Sequence, residues 1–372
     1  MNNENNQKKT WKAGFLSLGL IGGSIAMTFR KKYPDAEIVA LNRSPEPLQK
    51  ALETNVINYG TNVIDDHFSN CDIIFLCGPI GVNIGFLKDI RRYISPSTIL
   101  TDVGSVKSDI HRAVAADLPE AAFIGGHPMA GSEKSGYDNA NDHLIENAYY
   151  ILTPGPNVPQ ELIDRYYCLV QSLGALPLIL SPSDHDYITA AISHVPHMIA
   201  YTLVRLVEES DSPEQYMKLI AAGGFKDITR IASSDPVMWE HICLSNPDNI
   251  DKLLESYLCK LQELRSLIKD GKGQELRQLF AQIRDYRNSI QDAPRGPIRK
   301  IYDLHCDIID EAGAIATIAT ILSTQNVSIK NIGIVHNRTY EEGALHIEFY
   351  DEHAVTTAAG LLKKHGYRIY ER

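Results

Sequence analysis

The stretch from Gly125 to Gly136, GGHPMAGSEKSG, sets one histidine, one glutamate and one lysine among glycines and other small residues. Glycines let the backbone approach a ligand closely, and Pro128 fixes the chain beside His127. An imidazole held rigidly in such a loop can exchange protons near neutral pH. His127 is therefore the first candidate for acid–base chemistry. A tight surface turn with an incidental histidine would have the same composition. The rest of the chain favours chemistry.

Ahead of that stretch, Leu18-Gly19-Leu20-Ile21-Gly22-Gly23-Ser24 lies between a strand pattern and a helix pattern. In a dinucleotide fingerprint, backbone N–H groups at the start of the helix receive the pyrophosphate, which points to Gly19, Leu20, Ile21 and Gly22. The pattern is imperfect, because Ser17 stands where the first glycine is expected. About twenty residues on, an NAD site usually carries an acid that grips the ribose. Here the sequence reads Asn42-Arg43-Ser44. Arg43 and Ser44 are able to hold a 2′-phosphate; stacking of Arg43 on adenine, or its exposure to solvent, is the alternative. Gly78 and Pro79 end another strand near the expected cofactor crevice, with Cys77 read as a packing residue. Ser105 follows a further strand, either as a simple helix cap or as a hydroxyl shared between substrate and nicotinamide.

His185-Asp186-Tyr187 and Ser193-His194-Val195-Pro196-His197 are placed on one long helix that Pro196 kinks. His194 and His197 are three residues apart and share a face. No third ligand stands at diagnostic spacing, so no metal site is expected and a polar lining for an organic anion fits better. Lys226 and Arg230 are i,i+4 and reach one side of a helical turn, with Asp227 between them and Trp239 beyond. Two cations beside histidines suit a dicarboxylate.

These residues need a scaffold, and the sequence pattern supplies one. Apolar runs alternate with helical patterns from Ala13 to Leu180, which predicts a mainly parallel α/β domain over 13–182, of the Rossmann type. Residues 183–290 read as an all-helical domain whose long amphipathic helices pair across a two-fold axis, giving a homodimer. A Pro/Gly-rich linker follows over 291–298, and 299–372 repeat βαββαβ, the α+β ferredoxin-like pattern. Residues 1–12 read as a frayed polar tail. The net charge of -10, without a basic run, argues against nucleic acid. No apolar run is long enough to span a bilayer, and none of the six cysteines forms a CxxC pair. A cytoplasmic protein with reduced thiols is expected.

Taken in order, GLIGGS, TDVGSVK, GGHPMAGSEKSG, NAYYILTP, HDY, SHVPH and GGFKDITRIASSDPVMW make the chain resemble the prephenate dehydrogenase family of tyrosine biosynthesis over about residues 13 to 290. The last segment, with Asp310-Glu311-Ala312-Gly313 after its first strand, resembles an ACT domain. Together they are similar to the Gram-positive form of the enzyme, which has no chorismate mutase segment. Ser17, Asn42 and Gly78 depart from the family pattern, all on the cofactor side. The resemblance implies oxidative decarboxylation of prephenate, with hydride passing to NAD or NADP. The family prior leans to NAD, the residues to NADP. It implies that His127 accepts the substrate hydroxyl proton, that Ser105 bonds the same hydroxyl and the nicotinamide, and that Arg230 binds a carboxylate. Lys226, His194, His197 and Ser193 would line the pocket, and Glu133, Asp227 and Trp239 would shape or gate it, with Trp239 coming either from the same chain or from a neighbouring subunit. L-tyrosine is the inhibitor implied, bound near Asp310, Gly313, Ala314 and Asn331. Arogenate dehydrogenase and a non-catalytic Rossmann–ACT sensor are the alternatives.

Overall fold

The computed structural model describes residues 10–131, 134–290, 302–308, 313–335 and 344–370. The chain divides into two compact units, 1–294 and 295–372.

The first unit is built on an eight-stranded sheet. Its strands are β1 (Lys12–Leu16), β2 (Glu37–Leu41), β3 (Tyr59–Thr61), β4 (Ile73–Leu76), β5 (Ile99–Asp102), β6 (Ala122–Pro128), β7 (Tyr149–Pro154) and β8 (Leu176–Ile179), in the order β3-β2-β1-β4-β5-β6-β7-β8. The first six run parallel; β7 runs antiparallel to β6, with β8 parallel to β7. Helices α1 (Leu20–Lys32), α2 (Pro45–Glu53), α3 (Ile80–Ile90), α4 (Ser108–Asp117) and α5 (Gln160–Ser172) cross between strands. Alternate strand residues enter opposite cores. Phe15, Ile73 and Phe75 pack with Ile25 and Phe29 of α1 and Leu162 and Tyr166 of α5. Leu16, Ile74 and Leu76 pack with Leu87 of α3 and Ile110 of α4. Burial on both faces explains why β4 reads IIFL rather than alternating with polar residues. The short β3 gives almost no sequence signal and was not expected.

The expected tail reaches less far than residue 12. Trp11 sits edge-on to Phe29 at 6.0 Å, the Arg165 guanidinium lies 4.5 Å above its ring, and Lys12 already begins β1. An indole buries too much apolar surface to stay in a polar tail.

The remainder of this unit is helical: α6 (Pro182–Thr189), α7 (Val195–Ser210), α8 (Tyr216–Ile220), α9 (Gly223–Thr229), α10 (Pro236–Ser245), α11 (Pro247–Lys269) and α12 (Gly273–Ser289). The single helix expected from Asp184 to Glu209 is interrupted. A π-helical turn, Ala190–His194, separates α6 from α7. Pro196 has no N–H to continue the regular ladder, and the wider turn accommodates that gap and re-aims the side chains around it.

The second unit contains β9 (Tyr302–Asp307), α13 (Ala314–Ser323), β10 (Ile329–Val335), β11 (Ala344–Phe349), α14 (Glu352–Lys364) and β12 (Ile369–Tyr370). The sheet order β10-β11-β9-β12, with every neighbouring pair antiparallel, is the ferredoxin-like arrangement. Its core joins Leu304, Cys306, Leu345 and Ile347 to Ile318, Leu322, Ala358 and Leu362 of the two helices. Residues 291–298, read as a linker, lie outside the described residues.

Candidate active site

Strand order reverses between β1 and β4, and the carboxyl ends of these strands form the crevice where open α/β sheets bind ligands. Ser17 turns the chain there with φ +84°, the left-handed conformation that a first glycine would take without strain. Its N–H donates to the Leu41 carbonyl at 2.8 Å. The next N–H, of Leu18, donates to Asn42 Oδ1 at 3.0 Å, and Asn42 Nδ2 donates to the Ser44 carbonyl at 3.0 Å. Gly19 caps α1, and a Cβ there would meet nothing within 4 Å. The backbone N–H groups of Leu20 and Ile21 begin the helix and have no partner within it. A Cβ on Gly22 would lie 2.7 Å from the Ser17 carbonyl and 2.8 Å from Cys77 Cβ, so only glycine lets helix and strand approach this closely. Gly78 is held by Asn83, whose Oδ1 accepts the Gly78 N–H and whose Nδ2 donates to the Gly78 carbonyl. Pro79 starts α3. Arg43 and Ser44 are exposed at the end of β2. An open glycine turn over a helix N-terminus fits a dinucleotide pyrophosphate. Burial pushes the Cys77 thiol up, which suits a packing role.

His127 lies near the end of β6, on the antiparallel pair with β7. Its Nδ1 is 2.8 Å from His185 Nε2, and His185 Nδ1 is 2.8 Å from Asp186 Oδ1. A carboxylate only accepts, so His185 carries its proton on Nδ1 and its Nε2 accepts from His127. The lone pair of His127 is thereby left on Nε2. Burial would raise the Asp186 carboxyl, but hydrogen bonds from His185, Ser108 and Lys107 outweigh it and hold the group below the usual carboxylate range. Burial, reinforced by the nearby His185 and Lys107, pushes His127 well below the ordinary histidine value. It is neutral and able to accept a proton at pH 7.

Asp186 also ties this line to the sheet. Its two oxygens accept the N–H groups of Lys107 at 2.7 Å and Ser108 at 2.8 Å, capping α4 from another element. The Lys107 ammonium is fully buried, paired with Asp102 and donating to the Gly126 carbonyl at 2.7 Å. Asp102 Oδ1 accepts the Gly126 N–H at 3.2 Å. Both backbone groups of the residue before His127 are thus held by one ion pair. Ser105 does not begin a helix. It lies in the loop before α4, which starts at Ser108, and Asp186 takes the capping role in its place.

The helical side adds a second group. Asn246 Nδ2 donates to the Asp186 carbonyl at 2.8 Å and lies 3.3 Å from His194 Nδ1. Burial lowers His194 to about 4. His197 stacks on Trp239 at 3.5 Å, and its Nδ1 is bound to the Ser193 carbonyl at 3.0 Å. Burial lowers His197 as well, and the Arg230 charge, close enough to be felt there, adds to this. Val106, next to Ser105, packs with Trp239 and Ile242. His127, Ser193, His194, His197 and Trp239 are therefore linked in one region through His185, Asp186 and Asn246, with Trp239 contributed by the same chain, Arg230 close enough to be felt at His197, and Ser105 adjacent in sequence to Val106. Lys226 and Asp227 are exposed on α9. Glu133 lies outside the described residues.

Sequence reasoning gave no role to Asp102, Lys107, His185, Asp186 or Asn246. Four of these stand inside the motifs TDVGSVK and HDY, but their partners are remote in sequence. In the second unit Asp310 lies outside the described residues, while Gly313, with φ +93°, and Ala314 open α13 after the end of β9. Asn331 is not beside them. The register sets it level with Glu348 and Asp303, near the start of β9, and its side chain accepts the Ile332 N–H. About 13 Å of strand separates Asp303 from the end of β9.

Residues 25–178 match the family described as "Prephenate dehydrogenase, nucleotide-binding domain", and residues 181–282 the one described as "Prephenate dehydrogenase, dimerization domain". The chain is 35% identical to a prephenate dehydrogenase of Bacillus subtilis over 337 residues, covering 90% of this chain and 91% of that one. It is 35% identical to the Lactococcus lactis prephenate dehydrogenase over 354 residues, 94% of this chain and 96% of that one. The prephenate dehydrogenase of Aquifex aeolicus, solved with hydroxyphenyl propionate and NAD+, superposes with a TM-score of 0.72 at 31% identity, covering 76% of this chain and 99% of that one. With its crevice, its histidine line and these relatives, the chain belongs to the prephenate dehydrogenase family.

Proposed function

We propose that the chain oxidises and decarboxylates prephenate to 4-hydroxyphenylpyruvate, with His127 as the base. The observation that carries this reading is the line Asp186–His185–His127, which leaves a neutral imidazole nitrogen at the edge of a dinucleotide crevice. When bound, the nicotinamide supplies the two-electron acceptor for the hydride on the carbinol carbon. His127 Nε2 takes the hydroxyl proton. It returns that proton to the phenolate oxygen that forms as the ring carboxylate leaves as carbon dioxide, so no proton is released overall. Ser105 bonds the substrate hydroxyl and holds it toward His127. Arg230 binds a substrate carboxylate, with Lys226 adding positive charge and His194, His197 and Ser193 lining the pocket. Trp239 fixes the His197 ring by stacking. Asp227 and Glu133 are read as shaping or gating the pocket.

For the cofactor, the open turn at Gly19 supports a nicotinamide dinucleotide. The reading that NADP is accepted beside NAD rests on Asn42, which has no charge to repel a 2′-phosphate, and on the exposed Arg43 and Ser44 next to it. The second unit is read as an ACT domain that binds L-tyrosine around the β9–α13 turn, at Asp310, Gly313 and Ala314. If Asn331 contributes, the register requires it to come from a paired copy. A homodimer through the helical segment is supported by exposed Leu206, Leu219, Leu244, Leu258 and Ile283. The six cysteines are free thiols, in keeping with the cytoplasm. No helix among the described residues is long and apolar enough to cross a membrane.

The test is formation of reduced nicotinamide with prephenate or arogenate and either oxidised cofactor. Turnover of prephenate is expected. Preference for arogenate would move the assignment to arogenate dehydrogenase, and no turnover with either would leave a sensor.

A further inference from the structure

The outer face of the C-terminal sheet carries an unusual set of side chains. Leu304, Cys306, Leu345 and Ile347 point to α13 and α14. Strand residues alternate, so Asp303, His305, His346 and Glu348 project from the opposite face. His305 lies directly across from His346, and Asp303 across from Glu348, in the β9–β11 pairing. The two imidazoles stack with centroids 4.5 Å apart and planes 22° from parallel. His346 Nε2 lies 3.0 Å from Asp303 Oδ2. One ligand atom from each of Asp303, His305 and His346 lies within 4.8 Å of the others. On the far side of His346 its β10 neighbour is Gly333, where a Cβ would meet nothing within 4 Å.

We propose that Asp303, His305 and His346 form a binding site for a divalent transition-metal ion of the zinc, cobalt or nickel type. Two imidazoles and one carboxylate are ligands these ions favour, whereas calcium and magnesium favour oxygen alone. A tetrahedral ion with bonds of about 2.0–2.1 Å spaces its ligands by roughly 3.3 Å. The Asp303–His346 pair already has nearly that spacing, and the His305 nitrogen, within 4.8 Å of the other two ligand atoms, would have to move closer to complete the set. The backbone is fixed in advance, because two ligands are i,i+2 on one strand and the third is directly opposite on its hydrogen-bonded neighbour. Both side chains of the Asp303–His346 pair are only about a quarter exposed, at 26% and 24%. The opening beside Gly333 leaves room for water as a fourth ligand, and Glu348 is the protein group next in line. A bound ion would link β9 to β11 and stiffen the second unit. All three ligands belong to the second unit, and the site does not depend on the dehydrogenase chemistry.

The experiment titrates Zn2+ into the full chain by calorimetry and repeats the titration with His305→Ala, His346→Ala and the double variant. The expected result is one saturable site per chain, weakened on the order of ten-fold or more by either change. Co2+ in place of Zn2+ should give visible ligand-field absorption that the same variants lose. Zinc could also meet the histidines near His127, so the double variant is decisive. Uptake that persists unchanged in it, or no saturable uptake by the parent chain, overturns the proposal. Should the variants fail to fold, diethyl pyrocarbonate labelling of the parent chain answers the question. Protection of His305 and His346 by Zn2+ supports the site, and equal labelling with and without the ion refutes it.

Discussion

Ser17 and Gly78 face each other across the cofactor crevice: the Ser17 hydroxyl oxygen lies 3.1 Å from the position a Gly78 Cβ would take. Each residue is one that the family resemblance reads as a departure on the cofactor side, and the two fit together sterically. A hydroxymethyl group at the first turn occupies space that a side chain at position 78 would otherwise claim. Gly78→Ser should therefore crowd both Ser17 and Asn83 and lower the melting temperature. Adding Ser17→Gly should recover much of the loss, since it removes the hydroxyl and relaxes the positive φ. A double-mutant cycle should give a coupling of about 0.5–1.5 kcal/mol. Strict additivity would show that the pair is not compensating.

His127→Asn should retain cofactor binding and lower kcat by on the order of 10² or more. Asp186→Asn should do similar damage without touching the base. An asparagine amide that donates to His185 Nδ1 moves the His185 proton to Nε2, and His127 then holds its own proton on the nitrogen that should be free. Steady-state kinetics together with cofactor affinity check both variants. Near-normal turnover of Asp186→Asn would dismiss the tautomer argument.

The Arg230 charge that is felt at His197 predicts that Arg230→Ala raises KM for the substrate more than it lowers kcat. The loss of a charged hydrogen bond is worth about 1.5–3 kcal/mol. Lys226→Ala should cost less. An unchanged KM for Arg230→Ala would assign that residue to structure alone.

The pH dependence follows from buried, neutral histidines. His127 is held well below 6.5, so the base stays competent through neutral pH and kcat/KM should fall only at distinctly acidic pH. Stability should follow the same direction. His111 and His194 are each lowered by burial from 6.5 to about 4, while their unfolded forms protonate near 6.5. The unfolded chain then binds more protons as pH falls from 6.5 toward 4. Stability present above 6.5 is lost across that window, by up to about 1.4 kcal/mol per pH unit for each group. Denaturant melts at several pH values measure this; a flat profile from 6.5 to 5 would contradict it.

The proposed tyrosine inhibition should separate into two origins by truncation at about Ile298. If the second unit carries the effector site, the shortened dimer keeps its activity and loses its tyrosine sensitivity. By linkage, substrate and tyrosine should then weaken each other's binding in the full chain by one common factor. Persistent inhibition of the truncated enzyme would place the tyrosine site in the catalytic unit.

The strand–helix alternation, the helical middle segment, the βαββαβ ending and the candidacy of His127 as a proton acceptor were all legible in the amino-acid order. Those signals are local: a period of two or near four, a glycine turn between strand and helix, a proline beside a histidine. The break in the long helix was half legible, because Pro196 marks the disturbance but not the π turn that resolves it. The supports of His127 were not legible at all. Asp186 caps a helix whose first N–H groups stand 78 and 79 residues earlier, and Lys107 reaches the Gly126 carbonyl only because β5 and β6 are neighbours. The same holds in the second unit, where the register parts Asn331 from Gly313 and brings His305 opposite His346. Contacts between distant segments depend on strand order and register, which the whole core selects at once, and only the tertiary structure decides them.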